Sequence, residues 1–152
     1  MSLRGIPLLI LSLIIYNAIV FASSLPPQEI FYGMPALDAA GKAVITKGGE
    51  LLSIPLPSGL VHIRLGDTLL AVSMLLMGFE MVKATYTRGF GLMDRLLSPL
   101  LFVLFLIEFL LVPRCATSVF FFLTIMAGMD TVVGEAIGIR SAGRNINFGG
   151  NT

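Results

Sequence analysis

Residues 96–139 read LLSPLLFVLFLIEFLLVPRCATSVFFFLTIMAGMDTVVGEAIGI, which is two long apolar runs separated by Pro113, Arg114 and Cys115. Each run approaches the roughly 20 apolar residues that cross a hydrocarbon layer of about 30 Å. Proline stops the first run, and very few residues precede the second. The pattern therefore predicts a tight antiparallel pair of helices over 96–112 and 116–139.

Two more apolar runs of similar length occupy residues 6–22 and 68–84. Of the 152 residues, 56% are hydrophobic and only 12% are charged, which is about half the usual charged share of a soluble domain. A soluble fold of this size would lack the polar surface to stay dissolved. We therefore predict an all-α membrane protein with four transmembrane helices, in one domain over residues 1–144 with a flexible tail at 145–152.

The first run has an alternative interpretation. Arg4 precedes it and Val20-Phe21-Ala22 ends it, as in a secretory signal peptide with a small residue at the cleavage site. We favour an uncleaved anchor, and the three later spans make the protein membrane-bound in either case.

The segment 23–67 between the first two spans is cut into short lengths by prolines and glycines, so no long helix fits there. Residues 43–46 and 50–54 flank a Lys-Gly-Gly turn like the strands of a hairpin, and residues 60–65 alternate apolar and polar side chains. This pattern predicts a small β-rich cap on the outer membrane surface. An interfacial anchor is expected from Ile30, Phe31, Tyr32 and Met34.

Helix boundaries are also marked in the sequence. Asp67 precedes the second span as a capping residue, and Pro99 is expected in the first turn of the third, where its missing N–H costs little. The end of the chain, from Ser141 to Thr152, is polar and is predicted to be disordered.

The orientation follows from basic residues near the ends of the spans, which are more frequent on the cytoplasmic side. One side of the predicted topology carries six of them: Arg4, Lys83, Arg88, Arg95, Arg140 and Arg144. The other side carries Lys42, Lys47, Arg64 and Arg114. Both termini are therefore predicted to be cytoplasmic.

Charged residues inside the apolar runs are the first candidates for a functional site, because a charge at membrane depth needs a partner or water. Glu80 and Asp130 fall at similar depths in the second and fourth spans, and Lys83 lies one turn from Glu80. These three residues are predicted to form one polar network. A structural clamp between helices is the favoured role, and a proton or ion path is the alternative.

Glu108 lies at a different depth, toward the outer side. We expect it to tether the cap to the bundle, with Arg114 and Arg64 as the first candidate partners. His62, Asn17 and Thr117 are further groups able to reach that level.

A helix-association face is predicted at Gly134, Gly138 and Ala142, because small residues at four-residue spacing let another helix approach closely. That helix belongs either to this chain or to a partner.

Several functional classes find no support in the sequence. Motifs such as GxSxG, HExxH, the Walker loop and GxGxxG after a strand are missing. Cys115 is the only cysteine, and His62 the only histidine, so neither a thiolate cluster nor paired haem ligands are available. A net charge of +1 gives no electrostatic footprint for nucleic acid. We predict no cofactor and no metal.

The strings HIRLGD (62–67), EMVKATYTRG (80–89), IEFLLVP (107–113) and ATSVFFFLTIMAGMD (116–130) resemble those of small uncharacterised four-helix inner-membrane proteins of bacteria. The resemblance implies the same topology and a bacterial origin, and it implies no activity. The residues themselves lead to the expectation of a non-enzymatic subunit or accessory protein of a larger membrane complex, with lipid and other membrane chains as partners, because reactive side chains are few while lipid-depth polar groups and small residues suited to helix association are present. A small oligomeric transporter or proton-linked channel is the alternative.

Overall fold

The computed structural model of the chain describes residues 6–33, 35–37, 43–45, 49–86 and 92–146. The protein is mostly helical with two small two-stranded sheets. The four longer helices pack together, with α5 against α3 and α4 and with α1 against α3 and α5. The elements in chain order are α1 (Leu9–Ala22), α2 (Pro27–Tyr32), β1 (Pro35–Leu37), β2 (Ala43–Ile45), β3 (Glu50–Leu56), β4 (Gly59–Arg64), α3 (Leu65–Tyr86), α4 (Leu92–Leu111), a 3₁₀ turn (Pro113–Cys115) and α5 (Ser118–Ile146).

All four predicted apolar runs form helices, but they differ in length. Within α3 and α5, the segments Leu65–Ala84 and Ser118–Ile137 are each long and apolar enough to cross a membrane. The apolar helices Leu9–Ala22 and Leu96–Leu111 are shorter. The 14 residues of α1 rise about 21 Å, against about 30 Å of hydrocarbon. By length and composition, two of the described helices meet the requirement, whereas four were predicted.

The start of α3 shows how Asp67 acts. The helix begins at Leu65, before the predicted start at Thr68. The Asp67 carboxylate accepts a hydrogen bond from the backbone N–H of Arg64 at 3.0 Å. Asp67 therefore reaches back from the first turn to the residue that precedes the helix, as in a capping box.

Two other boundaries differ from the prediction. Pro99 lies inside α4, not in its first turn, because the helix already begins at Leu92. The proline removes one backbone hydrogen bond from the helix. At the other end, α5 continues to Ile146, so residues 141–146 are helical where a disordered tail was expected. The apolar residues Ile139, Ala142 and Ile146 recur at helical spacing and favour this continuation. Residues 147–152 lie outside the described part of the chain.

The β-structure predicted between the first two apolar runs is present, but its predicted strand pairing is wrong. β3 pairs with β4 in an antiparallel hairpin, and β2 pairs with β1. Between β3 and β4 the chain turns at Pro57-Ser58, where proline presets the backbone for a tight turn. The bend at Gly49 instead brings the chain close to α2. A Cβ at Gly49 would lie 2.6 Å from the carbonyl oxygen of Ile30 in α2. Gly49 therefore places β3 beside α2 and does not return it onto β2.

Aromatic rings fill the centre of the core. The Tyr16 ring stacks on that of Phe31 at 5.0 Å between centroids and meets Phe120 edge-on at 4.7 Å. Phe105 packs on Phe120 at 5.5 Å. All four side chains are fully buried. The prediction that Phe31 anchors the protein at the membrane interface is therefore wrong, because its ring belongs to the core. Met34 lies outside the described residues.

Candidate functional site: polar groups at the two ends of α1

One polar cluster, the Glu80 cluster, consists of Glu80 and Lys83 on α3, Ser98 on α4 and Asp130 on α5. The Glu80 and Asp130 carboxylates are buried. Ser98 hydrogen bonds to Asp130, and Asp130 interacts electrostatically with both Glu80 and Lys83. The structure thus brings the three residues of the predicted network into one region and adds Ser98.

The Glu80 cluster also binds the beginning of α1. Glu80 Oε2 accepts a hydrogen bond from the backbone N–H of Leu8 at 2.9 Å, and Lys83 Nζ donates to the carbonyl oxygen of Ile6 at 3.3 Å. The first N–H groups of a helix have no partner within the helix, and its N-terminus carries partial positive charge. A carboxylate at this point therefore satisfies a donor and stabilises the helix end.

A second group of polar side chains, the Glu108 cluster, lies at the other end of α1 and consists of Asn17, Glu108, Arg114 and Cys115. Asn17 Nδ2 donates to Glu108 Oε2 at 2.8 Å, and the Cys115 thiol lies 3.8 Å from Asn17 Oδ1. Arg114 Nη1 donates to the carbonyl oxygens of Val20 at 2.7 Å and Ser23 at 3.1 Å. A cation therefore meets the last carbonyls of α1, the negative end of its dipole.

The hydrogen bond of Glu108 is not the predicted tether between cap and bundle, because it joins α4 to α1. Between the residues that the structure describes, no salt bridge joins Glu108 to Arg114 or Arg64. The Glu108 partner is Asn17, which was one of the further candidates. Arg114 binds main-chain oxygens instead, and the backbone N–H of Arg64 binds Asp67.

Two further polar contacts are made by side chains of α1. Tyr16 Oη lies 2.7 Å from Thr117 Oγ1 and 3.1 Å from the carbonyl oxygen of Arg114. Ser73 Oγ lies 2.8 Å from Ser12 Oγ. Sequence reasoning had not assigned these roles to Ser12, Tyr16 and Ser73. The four-residue spacing of Ser12 and Tyr16 was the available signal, since it places both on one face of α1.

The predicted helix-association face lies partly outside the described side chains, which include neither Gly138 nor Ala142. A Cβ built on Gly134 would meet nothing within 4 Å, so no helix of the described chain packs there. The close approach occurs instead at Gly128, where a Cβ would lie 3.1 Å from the Phe102 ring. Helices α4 and α5 therefore meet at Gly128, which sequence reasoning had not singled out.

Chemically, these groups are suited to holding helices together. All buried side-chain nitrogen and oxygen atoms of the described residues have a hydrogen-bond partner. The same residues contain no group of three or more His, Cys, Asp or Glu side chains that would hold a metal ion.

Comparison of the chain with protein families, with curated proteins and with solved structures gives no match. The resemblance to small bacterial inner-membrane proteins stays a prediction.

Proposed function

We propose that this chain is an integral membrane protein whose four longer helices all cross the bilayer, and that it serves as a non-enzymatic accessory subunit of a larger membrane complex. We further propose the bacterial inner membrane as its location, with both termini cytoplasmic. The distribution of polar and apolar side chains carries this proposal.

Large apolar side chains face outward on every long helix. Examples are Ile14 on α1, Leu75 on α3, Leu111 on α4 and Val132 on α5, which are between 57% and 75% exposed. In contrast, Ser12, Ser73, Glu80, Thr124 and Asp130 are buried. A water-soluble protein rarely exposes so many large apolar side chains, whereas a bilayer requires apolar surfaces outside and satisfied polar groups inside.

The short helix α1 fits this arrangement because the other helices hold it at both ends. Glu80 and Lys83 bind its beginning, and Arg114 binds its final carbonyls. A helix shorter than the hydrocarbon thickness is tolerated when the bilayer thins locally or flanking charged residues reach the interface. Polar side chains therefore satisfy the backbone groups at both ends of α1. This supports α1 as a spanning helix of the bundle.

The accessory role is supported by two further observations. The described buried polar atoms are satisfied within the chain, as expected of groups that fix helix positions. Gly134 faces open space on the surface of α5, and a small residue on a lipid-depth surface permits close approach of another helix. We infer that a partner helix packs at this face, which includes Gly138 and Ala142 in the sequence.

Purification in mild detergent followed by mass spectrometry tests the proposal. We expect a fixed set of other membrane proteins to copurify with the wild-type chain and to be lost with Gly134→Leu. Gly78→Leu on α3 is the matched control, because a Cβ at Gly78, like one at Gly134, meets nothing within 4 Å. Recovery of the chain without partners would contradict the accessory role.

The transporter alternative rests on a different observation, the burial of two carboxylates together in the Glu80 cluster. Such groups at membrane depth also occur in proton paths. The same purification separates the two proposals, since a closed homo-oligomer without other chains favours transport.

A further inference from the structure

The hairpin of β3 and β4 is the most exposed apolar part of the described cap. Its large apolar residues are between 37% and 64% exposed, and no charged residue occurs between Glu50 and His62. A contiguous apolar patch of more than a few hundred Å² marks an interaction surface. The apolar residues concerned are Leu51, Leu52, Ile54, Leu56, Leu60 and Val61.

The two faces of this hairpin differ. Cross-strand pairs place Leu52 beside Ile63 and Ile54 beside Val61 on one face, which is entirely apolar. Ser53 pairs with His62 on the opposite face. There the Glu50 carboxylate accepts a hydrogen bond from the Ser53 hydroxyl and lies 2.9 Å from His62 Nδ1. One face is therefore suited to an apolar medium, and the base of the other is suited to water.

The position of the hairpin is fixed by its connection to α3. β4 ends at Arg64 and α3 begins at Leu65, without a linker. The backbone N–H of Leu65 also donates to the carbonyl oxygen of Gly49 at 2.7 Å, which holds both strands to the same end of α3. If α3 spans the membrane, the charged base of the hairpin therefore lies at the membrane surface.

We propose that this hairpin lies on the bilayer, with the Leu52–Ile54–Val61 face and the Pro57-Ser58 turn in the lipid interface and with the Glu50–His62 pair in water. The proposal rests on the membrane embedding of α3 proposed above. A bilayer, and not a protein strand, is the occupant that the observations favour. The hairpin joins a spanning helix without a linker, and its charged residues are confined to the end where that helix meets water. The hairpin thus takes the anchoring role that the sequence had assigned to residues 30–34.

Fluorescence quenching in vesicles tests this placement. Single cysteines at Ile54 and Ser53, introduced into a Cys115→Ala background, carry an environment-sensitive label on opposite faces of one strand. The labelled protein is reconstituted into phosphatidylcholine vesicles with and without bromine on the acyl chains. We expect brominated lipid to remove most of the fluorescence at Ile54 and much less at Ser53. Leu56→Cys, on the Ile54 face, repeats the measurement if Ile54→Cys disturbs the hairpin.

A label at Leu75, which is 65% exposed on α3, separates failure of this inference from failure of the proposed function. Quenching at Leu75 without quenching at Ile54 and Leu56 would overturn the hairpin placement and leave the membrane embedding intact. Equal quenching at Ile54 and Ser53 would overturn the two-faced orientation. An unquenched label at Leu75 as well would overturn the embedding itself.

Discussion

At the scale of single residues, glycines distinguish the interior of the helix bundle from its surface. A side chain at Gly128 would press against the Phe102 ring, whereas one at Gly134 would enter open space. Both lie in α5, and both appear in the sequence simply as glycines of an apolar helix. The role of each glycine depends on whether it lies on the side of α5 that contacts α4. The spacing of the glycines in the sequence does not determine this.

Gly128→Leu is predicted to destabilise the protein. The new side chain has to displace Phe102, and overpacking of this kind costs about 1 to 3 kcal/mol in the free energy of unfolding. Thermal unfolding in detergent should show a lower Tm for Gly128→Leu. Gly78→Leu is the matched control and should keep the wild-type Tm, because a Cβ there meets nothing within 4 Å. Equal Tm values for the two variants would contradict the packing at Gly128.

The single cysteine, Cys115, is predicted to react slowly with thiol reagents in the folded protein. Burial raises the pKa of the Cys115 thiol from 9.0 to about 11, and the nearby Glu108 carboxylate contributes to the shift. The reactive species is the thiolate, whose fraction rises only as the pH approaches the pKa. Iodoacetamide should therefore alkylate Cys115 very slowly at neutral pH and faster as the pH rises, as read from the mass of the peptide that contains Cys115. A cysteine at the exposed position Ser24 provides the reference, and equal rates at neutral pH would contradict the prediction.

At the scale of elements, the positions of the helices could largely be predicted from the sequence, and their exact ends and contacts could not. Apolar runs long enough to form a buried helix can be recognised from the sequence alone. The inclusion of residues 141–146 in α5 and of Pro99 within α4 depends on a few residues at each end, where local signals compete.

The strand pairing was predicted wrongly because the sequence offers two turns, first the Lys-Gly-Gly turn and second the turn at Pro57-Ser58. The contact between Gly49 and α2, which involves residues far apart in the chain, selects the second turn.

The candidate site shows the same limit. The shared depth of Glu80 and Asp130 followed from helix geometry, but their partners Leu8 and Ser98 did not. Backbone groups at a helix end carry no mark in the sequence. A prediction of side-chain pairs therefore overlooks contacts in which one partner is the main chain, such as those of Glu80 and Arg114 with α1.

The clamp on the first helix predicts a difference between two substitutions of Glu80. Glu80→Gln keeps a carbonyl oxygen that accepts the Leu8 N–H, whereas Glu80→Leu leaves that donor unsatisfied, at a cost of about 1 to 3 kcal/mol. Thermal unfolding should therefore rank Glu80→Leu well below Glu80→Gln. Glu135→Leu removes an exposed carboxylate from α5 and should be close to neutral. Equal destabilisation by Leu and Gln at residue 80 would show that the hydrogen bond to α1 is not what Glu80 contributes.

At the scale of the whole molecule, large apolar side chains occupy both the core and much of the surface of the helix bundle. A smaller number of buried charged and hydroxyl side chains join the helices inside it. Contacts at both ends of α1 come from α3 and from the segment between α4 and α5. The first helix is thereby tied to residues distant in the sequence, so the bundle is held by polar links as well as by the aromatic core.

The orientation of the bundle gives the final prediction. If the side richer in Lys and Arg is cytoplasmic, the end of α1 at Ser24 faces outward and the C-terminus at Thr152 faces the cytoplasm. A membrane-impermeant maleimide applied to intact cells should then label Ser24→Cys, and should label Thr152→Cys only after the membrane is permeabilised. The unreactive Cys115 thiol serves as the internal blank, since its burial keeps it protonated and inaccessible. Labelling of Thr152→Cys but not Ser24→Cys in intact cells would reverse the orientation, while labelling of both would place an even number of crossings between them.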